Sequence, residues 1–314
     1  MDITETNGLG VNEWAPDVII YHDPCLDGFT AAWVCWRRWP EADFVGCNYG
    51  MPVPPVDGKH VLIVDFSFKR AELEAMAQAA ASIVILDHHK SAAAELEPFR
   101  QFADKPERFK LPVVASMIGD LQRGGYPAIC ASFDMKRSGA RMAWDFCFPG
   151  VSVPWLVLLV EDRDLWRFAF GDATRDTNLR LSVEPKNFER WSEILALLPQ
   201  TVVWDGCDYT ESGKAMRVYR DWLVAQIVRR AEIRPILGHD VPVVDCPYEL
   251  ASEVGDALCE KFFARPFAAM RTHALDGTSY SLRSRNGFDV SEVARRFGGG
   301  GHAGAAGFRV PACV

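Results

Sequence analysis

The sequence predicts an α/β fold: an N-terminal, mostly parallel sheet flanked by helices, a connecting helix, and a smaller C-terminal α/β domain. Three observations point there. Apolar, β-branched runs alternate through the first half with stretches whose apolar residues recur at helical spacing, and strands separated by helices form right-handed βαβ units. One long amphipathic stretch, "ESGKAMRVYRDWLVAQIVRRAEI", follows as a connector. Beyond Pro235 short strand-like runs return, interleaved with two helical ones.

Taken in order, "DVIIYH" is a strand that ends in a polar loop, and "GFTAAWVCWRRW" after it has helical spacing. "HVLIVDFS" is a second strand, followed by the helix-forming "KRAELEAMAQAAA", and "SIVILDHH" is a third strand. Helical patterns continue at "SGARMAWDFCF" and "VPWLVLLVED". In the C-terminal part "DVPVVDCP", "PFAAMRTHA" and "SYSLRS" read as strands, "ASEVGDALCEKFF" and "DVSEVARRF" as helices. The expected division is a domain over 1–200, a helical linker over 201–234 and a second domain over 235–314.

Composition narrows the class. With 314 residues, 49% hydrophobic and 24% charged, the chain has room for two cores and the make-up of a soluble globular protein. Apolar runs such as "WLVLLV" are too short to span a bilayer, so no membrane association is expected. "MDITETNGLG" has no basic and apolar regions of a secretory signal. Nine cysteines without CxxC pairs argue against a zinc ribbon or disulfide framework and for reduced thiols in a cytoplasm. A formal net charge of −8 argues against a coat for duplex nucleic acid but does not exclude a short phosphate-bearing substrate.

The chemistry gathers at strand ends. The first strand delivers His22 and Asp27, the second Asp65, the third Asp87, His88 and His89. Ligands of open α/β sheets bind beyond the carboxyl ends of the strands, so these residues are placed to converge. "VLLVEDRDLW" adds Glu161, Asp162 and Asp164. A lone aspartate after a strand is usually a turn residue or cap, and a lone histidine usually structural. Asp-His-His at a strand end is more than turn chemistry needs. Crowded carboxylates repel unless cations are present, and imidazole mixed with carboxylate suits Mn²⁺ or a similar transition ion better than Ca²⁺.

At the far end, "RRFGGGGHAGAAGF" carries four consecutive glycines, Gly298 to Gly301. A flexible hinge is the bland reading; a glycine loop also lets a phosphate approach backbone N–H groups. If "HAGAAG" is helical, its N-terminus adds a favourable dipole. His302 is then placed to meet a phosphate or base, and Arg283 and Arg285 to supply guanidinium forks.

With these motifs in order, the sequence resembles the DHH phosphoesterase superfamily, named for the Asp-His-His seen here as Asp87–His89, with a C-terminal DHHA1-type domain carrying "GGGGH". Together with "CLDGFTAAW" and "EDRDLW", the resemblance is to the nano-RNase and cyclic-nucleotide phosphodiesterase branch, and more distantly to RecJ-like exonucleases. It implies two lobes, the first holding two Mn²⁺ ions (Mg²⁺ or Co²⁺ as substitutes) and the second binding the nucleotide. It implies that His22 and Asp65 ligate one ion and Asp27, Asp65, His88 and Asp162 the other, with Asp65 shared and Asp164 the alternative to Asp162. Asp87 would orient His88, and His89 would face the scissile phosphate. Arg283, Gly299, Gly300, Gly301 and His302 would hold the substrate.

The implied activity is hydrolysis of short single-stranded RNA or DNA, or of cyclic nucleotides, to 5′-mononucleotides. A phosphoanhydride hydrolase and a nucleotide sensor are its rivals. Homodimerisation through an apolar surface is compatible with the sequence. The sequence departs from the family at Cys25, where many relatives carry an aspartate. The thiol is either a soft metal ligand or a weakened site. Asp23 is an alternative ligand, although neighbours along an extended segment point apart.

Overall fold

Continuous apolar runs survive in strands only where both faces of a sheet are covered. In the computed structural model, which describes residues 14–198 and 208–312, the first half is built that way. Its elements are β1 (Val18–His22), α1 (Leu26–Arg38), β2 (Asp43–Cys47), β3 (His60–Val64), α2 (Arg70–Ala79), β4 (Ser82–Asp87), α3 (Ala93–Leu96), α4 (Leu111–Arg123) and β5 (Ile129–Phe133). They continue with α5 (Gly139–Cys147), α6 (Trp155–Asp164), α7 (Asp172–Leu181), α8 (Phe188–Leu197) and α9 (Asp208–Val228).

The five strands run parallel in the order β2-β1-β3-β4-β5. All six residues of β4 are buried. Alternation divides the strand side chains between two cores. Val61, Ile63, Ile83 and Ile85 pack with Leu73 and Met76 of α2 and Leu96 of α3. Leu62, Val64, Val84 and Leu86 pack with Trp33 of α1, Trp144 of α5, Val160 of α6 and Trp191 of α8. The chain passes from β1 out to the edge strand β2 and then back past β1 to β3, so the winding reverses and the crevice at the carboxyl end of this sheet opens between β1 and β3. Helix ends are locally specified. α1 carries Asp27 in its first turn and Arg37 and Arg38 in its last, matching the macrodipole, and Ser138 caps α5 by accepting from the Arg141 N–H.

The chain divides into two units, Met1–His88 with Ala92–Lys214, and His89–Ser91 with Ala215–Val314. The second contains β6 (Glu232–Ile236), β7 (His239–Asp245), α10 (Ala251–Lys261), β8 (Ala268–Ala274), β9 (Gly277–Arg283), α11 (Val290–Arg296), β10 (Gly300–Gly301) and β11 (Ala305–Pro311). Its mixed sheet has the order β10-β11-β9-β8-β7-β6, with β7 and β8 parallel and the other pairs antiparallel. Val290 and Val293 of α11 cover one face, with Val243, Leu282 and Phe308. Val254 and Leu258 of α10 cover the other, joined by Val224 and Val228 of α9.

Two local expectations change. "HAGAAGF" is not helical: β10 and β11 form an antiparallel pair. A Cβ on Gly299 would lie 2.0 Å from the Gly307 carbonyl oxygen and one on Gly301 2.6 Å from that of Ala305. These glycines let the turn approach its own backbone, and the supposed helix dipole is absent. The end of the expected linker helix, "EI", opens β6 instead, which turns into β7 through Leu237 and Gly238, both at positive φ. The N-terminal stretch read for a signal lies outside the described residues, as does 199–207, which includes the start of the expected linker. Among the described residues no helix is long and apolar enough to cross a membrane.

Candidate metal centre

Two glycines allow the strand ends to close on one another. A Cβ on Gly28 would sit 2.1 Å from the His22 carbonyl oxygen, so only glycine lets α1 begin so close to the end of β1. A Cβ on Gly139 would sit 2.4 Å from Asp65 Cβ, so α5 meets the residue after β3 with nothing between. Asp65 itself has φ +55, a left-handed backbone that aspartate tolerates better than most residues. Its N–H donates to the Leu86 carbonyl, which fixes it beside the end of β4.

Around Asp65 two groups of donor atoms converge, each with its atoms within 4.8 Å of one another: Asp27, Asp65 and His88, and His22, Cys25 and Asp65. His88 Nε2 lies 3.0 Å from Asp65 Oδ1, 3.6 Å from Asp164 Oδ2 and 3.7 Å from Asp27 Oδ2. His22 Nδ1 lies 3.5 Å from Asp65 Oδ2, its ring stacked on Phe66 and edged by Tyr49. Asp27, Asp65 and His88 are almost fully buried.

The first turn of α5 holds Asp27. The Gly139 N–H donates to Asp27 Oδ2 at 2.5 Å and the Ala140 N–H to Oδ1 at 3.1 Å. Those are unpaired donors of a helix N-terminus, suited to a carboxylate. Asp87, wholly buried, accepts the backbone N–H of His88 at 2.7 Å. His89 follows, half-buried, on the loop after β4.

Electrostatics show what this arrangement costs without a cation. Burial, then the charges of Asp65 and Asp164, push Asp27 well above the ordinary carboxylate range, against His88 and a hydrogen bond from Ser138. Burial alone would lower the His88 imidazole, but Asp164, Asp65 and Asp27 override it and raise it to about 10. The Cys25 thiol is pushed up by burial and then by Asp65, Asp164 and Asp27. Three carboxylates, two imidazoles and a thiol are a donor set that divalent cations fit, and the neighbouring carboxylate charge that adds to burial in raising Asp27 and Cys25 is charge a cation offsets.

Asp162 is engaged with the loop that follows α6. Its carboxylate accepts the Ala169 N–H at 2.8 Å, the Phe170 N–H at 3.2 Å and the Thr174 hydroxyl, which ties the loop between α6 and α7 together. Asp164 is the member of "EDRD" that faces His88. Glu161 turns to α5, accepting from the Ser138 N–H and pairing with Arg141. Asp23 is committed elsewhere, to Lys186 at 2.8 Å. The α5 N-terminus was the contribution that motif reading missed; its signal was the cap in "RSGARMAW".

Comparison with known proteins places the second unit. Residues 252–312 match the model of the DHHA1 domain. That segment of the chain is similar to the DHHA1 domain. A curated relative, "Uncharacterized protein R106" of Acanthamoeba polyphaga mimivirus, is 26% identical over 314 residues. The alignment takes in 93% of this chain, which spans only 66% of that protein's length. Among solved structures, "Member of s1p family of ribosomal proteins PF0399 DHH domain" aligns over 94% of this chain and 82% of that one, with TM-score 0.53 and 12% identity. That is a likeness of fold, an N-terminal parallel sheet followed by a separate mixed-sheet domain. The pGpG-specific phosphodiesterase PggH from Vibrio cholerae aligns over 94% of this chain and 93% of that one, with TM-score 0.44 and 12% identity.

Within the matched segment, Arg283 ends β9 and donates to the Ser252 hydroxyl at 2.8 Å. Arg285 pairs with Asp256. Gly299 precedes β10, which is Gly300–Gly301, and His302 follows in the turn to β11, its N–H donating to Ala305 at 2.7 Å.

Proposed function

We propose that this chain is a divalent-metal-dependent phosphodiesterase that cleaves short oligonucleotides or cyclic nucleotides to 5′-mononucleotides. The observation that carries the reading is the buried sharing of Asp65 between the His22 side and the Asp27–His88 side of one site. A pair of Mn²⁺ ions bound there would activate water, polarise a phosphate and neutralise the charge that develops on it.

The chain's residues have distinct parts in this reading. Asp65 is shared, His22 completes one side, and Asp27, His88 and Asp164 complete the other. The α5 N-terminus holds Asp27 in place and spares it some charge repulsion. Asp87 fixes the backbone of His88, so the imidazole is presented in one direction. His89 is assigned to the scissile phosphate. Arg283, the Gly299–Gly301 backbone and His302 are assigned to the nucleotide, and the DHHA1 match of their domain supports that assignment.

Product analysis tests the proposal. Chelator-stripped protein is restored with Mn²⁺ and given a labelled RNA dinucleotide, longer RNA, matching DNA, cyclic mono- and dinucleotides, and pyrophosphate. Mononucleotide release from short or cyclic substrates supports the reading. Phosphate from pyrophosphate alone replaces it with a phosphoanhydride hydrolase. Tight nucleotide binding without turnover replaces it with a sensor.

A further inference from the structure

The two donor groups around Asp65 are chemically unlike. One is carboxylate-rich, with Asp27, Asp65, His88 and nearby Asp164; the other is His22, Cys25 and Asp65. We propose that the His22–Cys25–Asp65 group is a thiolate site for a softer divalent ion (zinc, ferrous iron or cobalt), while its neighbour takes a harder one such as manganese or magnesium. The centre is then built for two different metals. This rests on the two-metal reading above and sharpens it.

The geometry supports a deliberate site. Cys25 leaves β1 three residues after His22 and stands at the N-cap of α1 with extended backbone, φ −139 and ψ 142. Its carbonyl accepts the Phe29 N–H at 3.1 Å, so the first turn of α1 fixes the residue. His22 is fixed by Phe66 and Tyr49, and Asp65 by its bond to Leu86. Among the described cysteines, Cys25 is the one that joins a metal-binding group of this kind, whereas Cys35, Cys130 and Cys147 lie in the apolar core.

One imidazole, one sulfur and one carboxylate leave a coordination position open, as catalytic zinc sites do. Sulfur favours zinc, iron and cobalt over manganese and magnesium, and carboxylate oxygens reverse that preference. Forming the metal–sulfur bond sends the Cys25 thiol proton to solvent, so one proton leaves for each thiolate bond made.

Cobalt reports the bond directly. Co²⁺ titrated without oxygen into the chelator-stripped full-length chain is expected to produce a near-ultraviolet thiolate-to-cobalt charge-transfer band. Cys25→Ser and Cys25→Asp should bind cobalt without that band. In competition, Cys25→Asp should shift the zinc-to-manganese preference toward manganese by about tenfold or more. Cobalt bound by the wild-type chain with no band overturns the thiolate site and leaves the two-metal reading standing, as does a band that survives in Cys25→Ser. A wild-type chain that binds no cobalt overturns both.

Discussion

Replacing Gly139 by alanine opposes two effects whose sizes differ. Helix propensity favours alanine over glycine by up to about 1 kcal/mol, and by less at a first helical position such as this one. Sterically, the new Cβ would lie 2.4 Å from Asp65 Cβ and 2.6 Å from its Oδ1. Carbon atoms rest at about 3.5–4.0 Å, so Asp65 and the start of α5 must separate by roughly 1 Å. Overpacking of that kind costs about 1–3 kcal/mol, which exceeds the gain in propensity. The net loss of about 1–2 kcal/mol corresponds to roughly 2–8 °C in a domain of this size. A misplacement of about 1 Å also costs on the order of 100-fold in rate. Thermal denaturation, metal content and phosphodiester turnover of Gly139→Ala beside wild type measure all three. A variant that melts at or above wild type and binds metal normally would refute the close-approach reasoning.

Other expectations follow from the same geometry. Asp65→Asn should fold normally, because asparagine also accepts the left-handed backbone, yet lose metal and turnover; circular dichroism with metal analysis checks this. Asp162→Ala should lose about 3 kcal/mol through its three stranded donors while keeping its metal, and Asp164→Asn should do the opposite. His302→Ala should raise KM while metal content stays unchanged. The Glu184 side chain is 5% exposed, and a bidentate pair with Arg190, aided by Arg180, holds its carboxyl below the ordinary value. Its contribution is therefore present above the unfolded carboxylate pKa and lost as pH falls through the lowered native one. Glu184→Gln should destabilise by about 1 kcal/mol or less at neutral pH and converge on wild type in acid unfolding.

What the sequence made legible is what burial writes into it. β1, β3 and β4 are covered on both faces and read as apolar runs. β2 is a half-exposed edge strand, β6 is exposed with Pro235 inside it, and β11 is rich in alanine and glycine. None carries a strand's pattern, because neighbouring strands rather than side-chain chemistry hold them. His22, Asp27, Asp65 and His88 stood out because each lies at or just beyond the end of a strand. The choice between Asp162 and Asp164 was closed to sequence: residues two apart on a helix face different sides, and only packing of α6 decides which side is which. The positive φ of Asp65 and the bond from α5 to Asp27 are tertiary facts with no local signature.

The left-handed backbone of Asp65 also shapes what mutation can do to this protein. Asparagine and glycine suit that conformation, and each lies one base change from an aspartate codon. The shared residue of the site can therefore be lost by a single step that the fold does not oppose. A lineage that took it would keep a stable two-unit protein able to drift toward binding alone, with no unfolded intermediate for selection to remove.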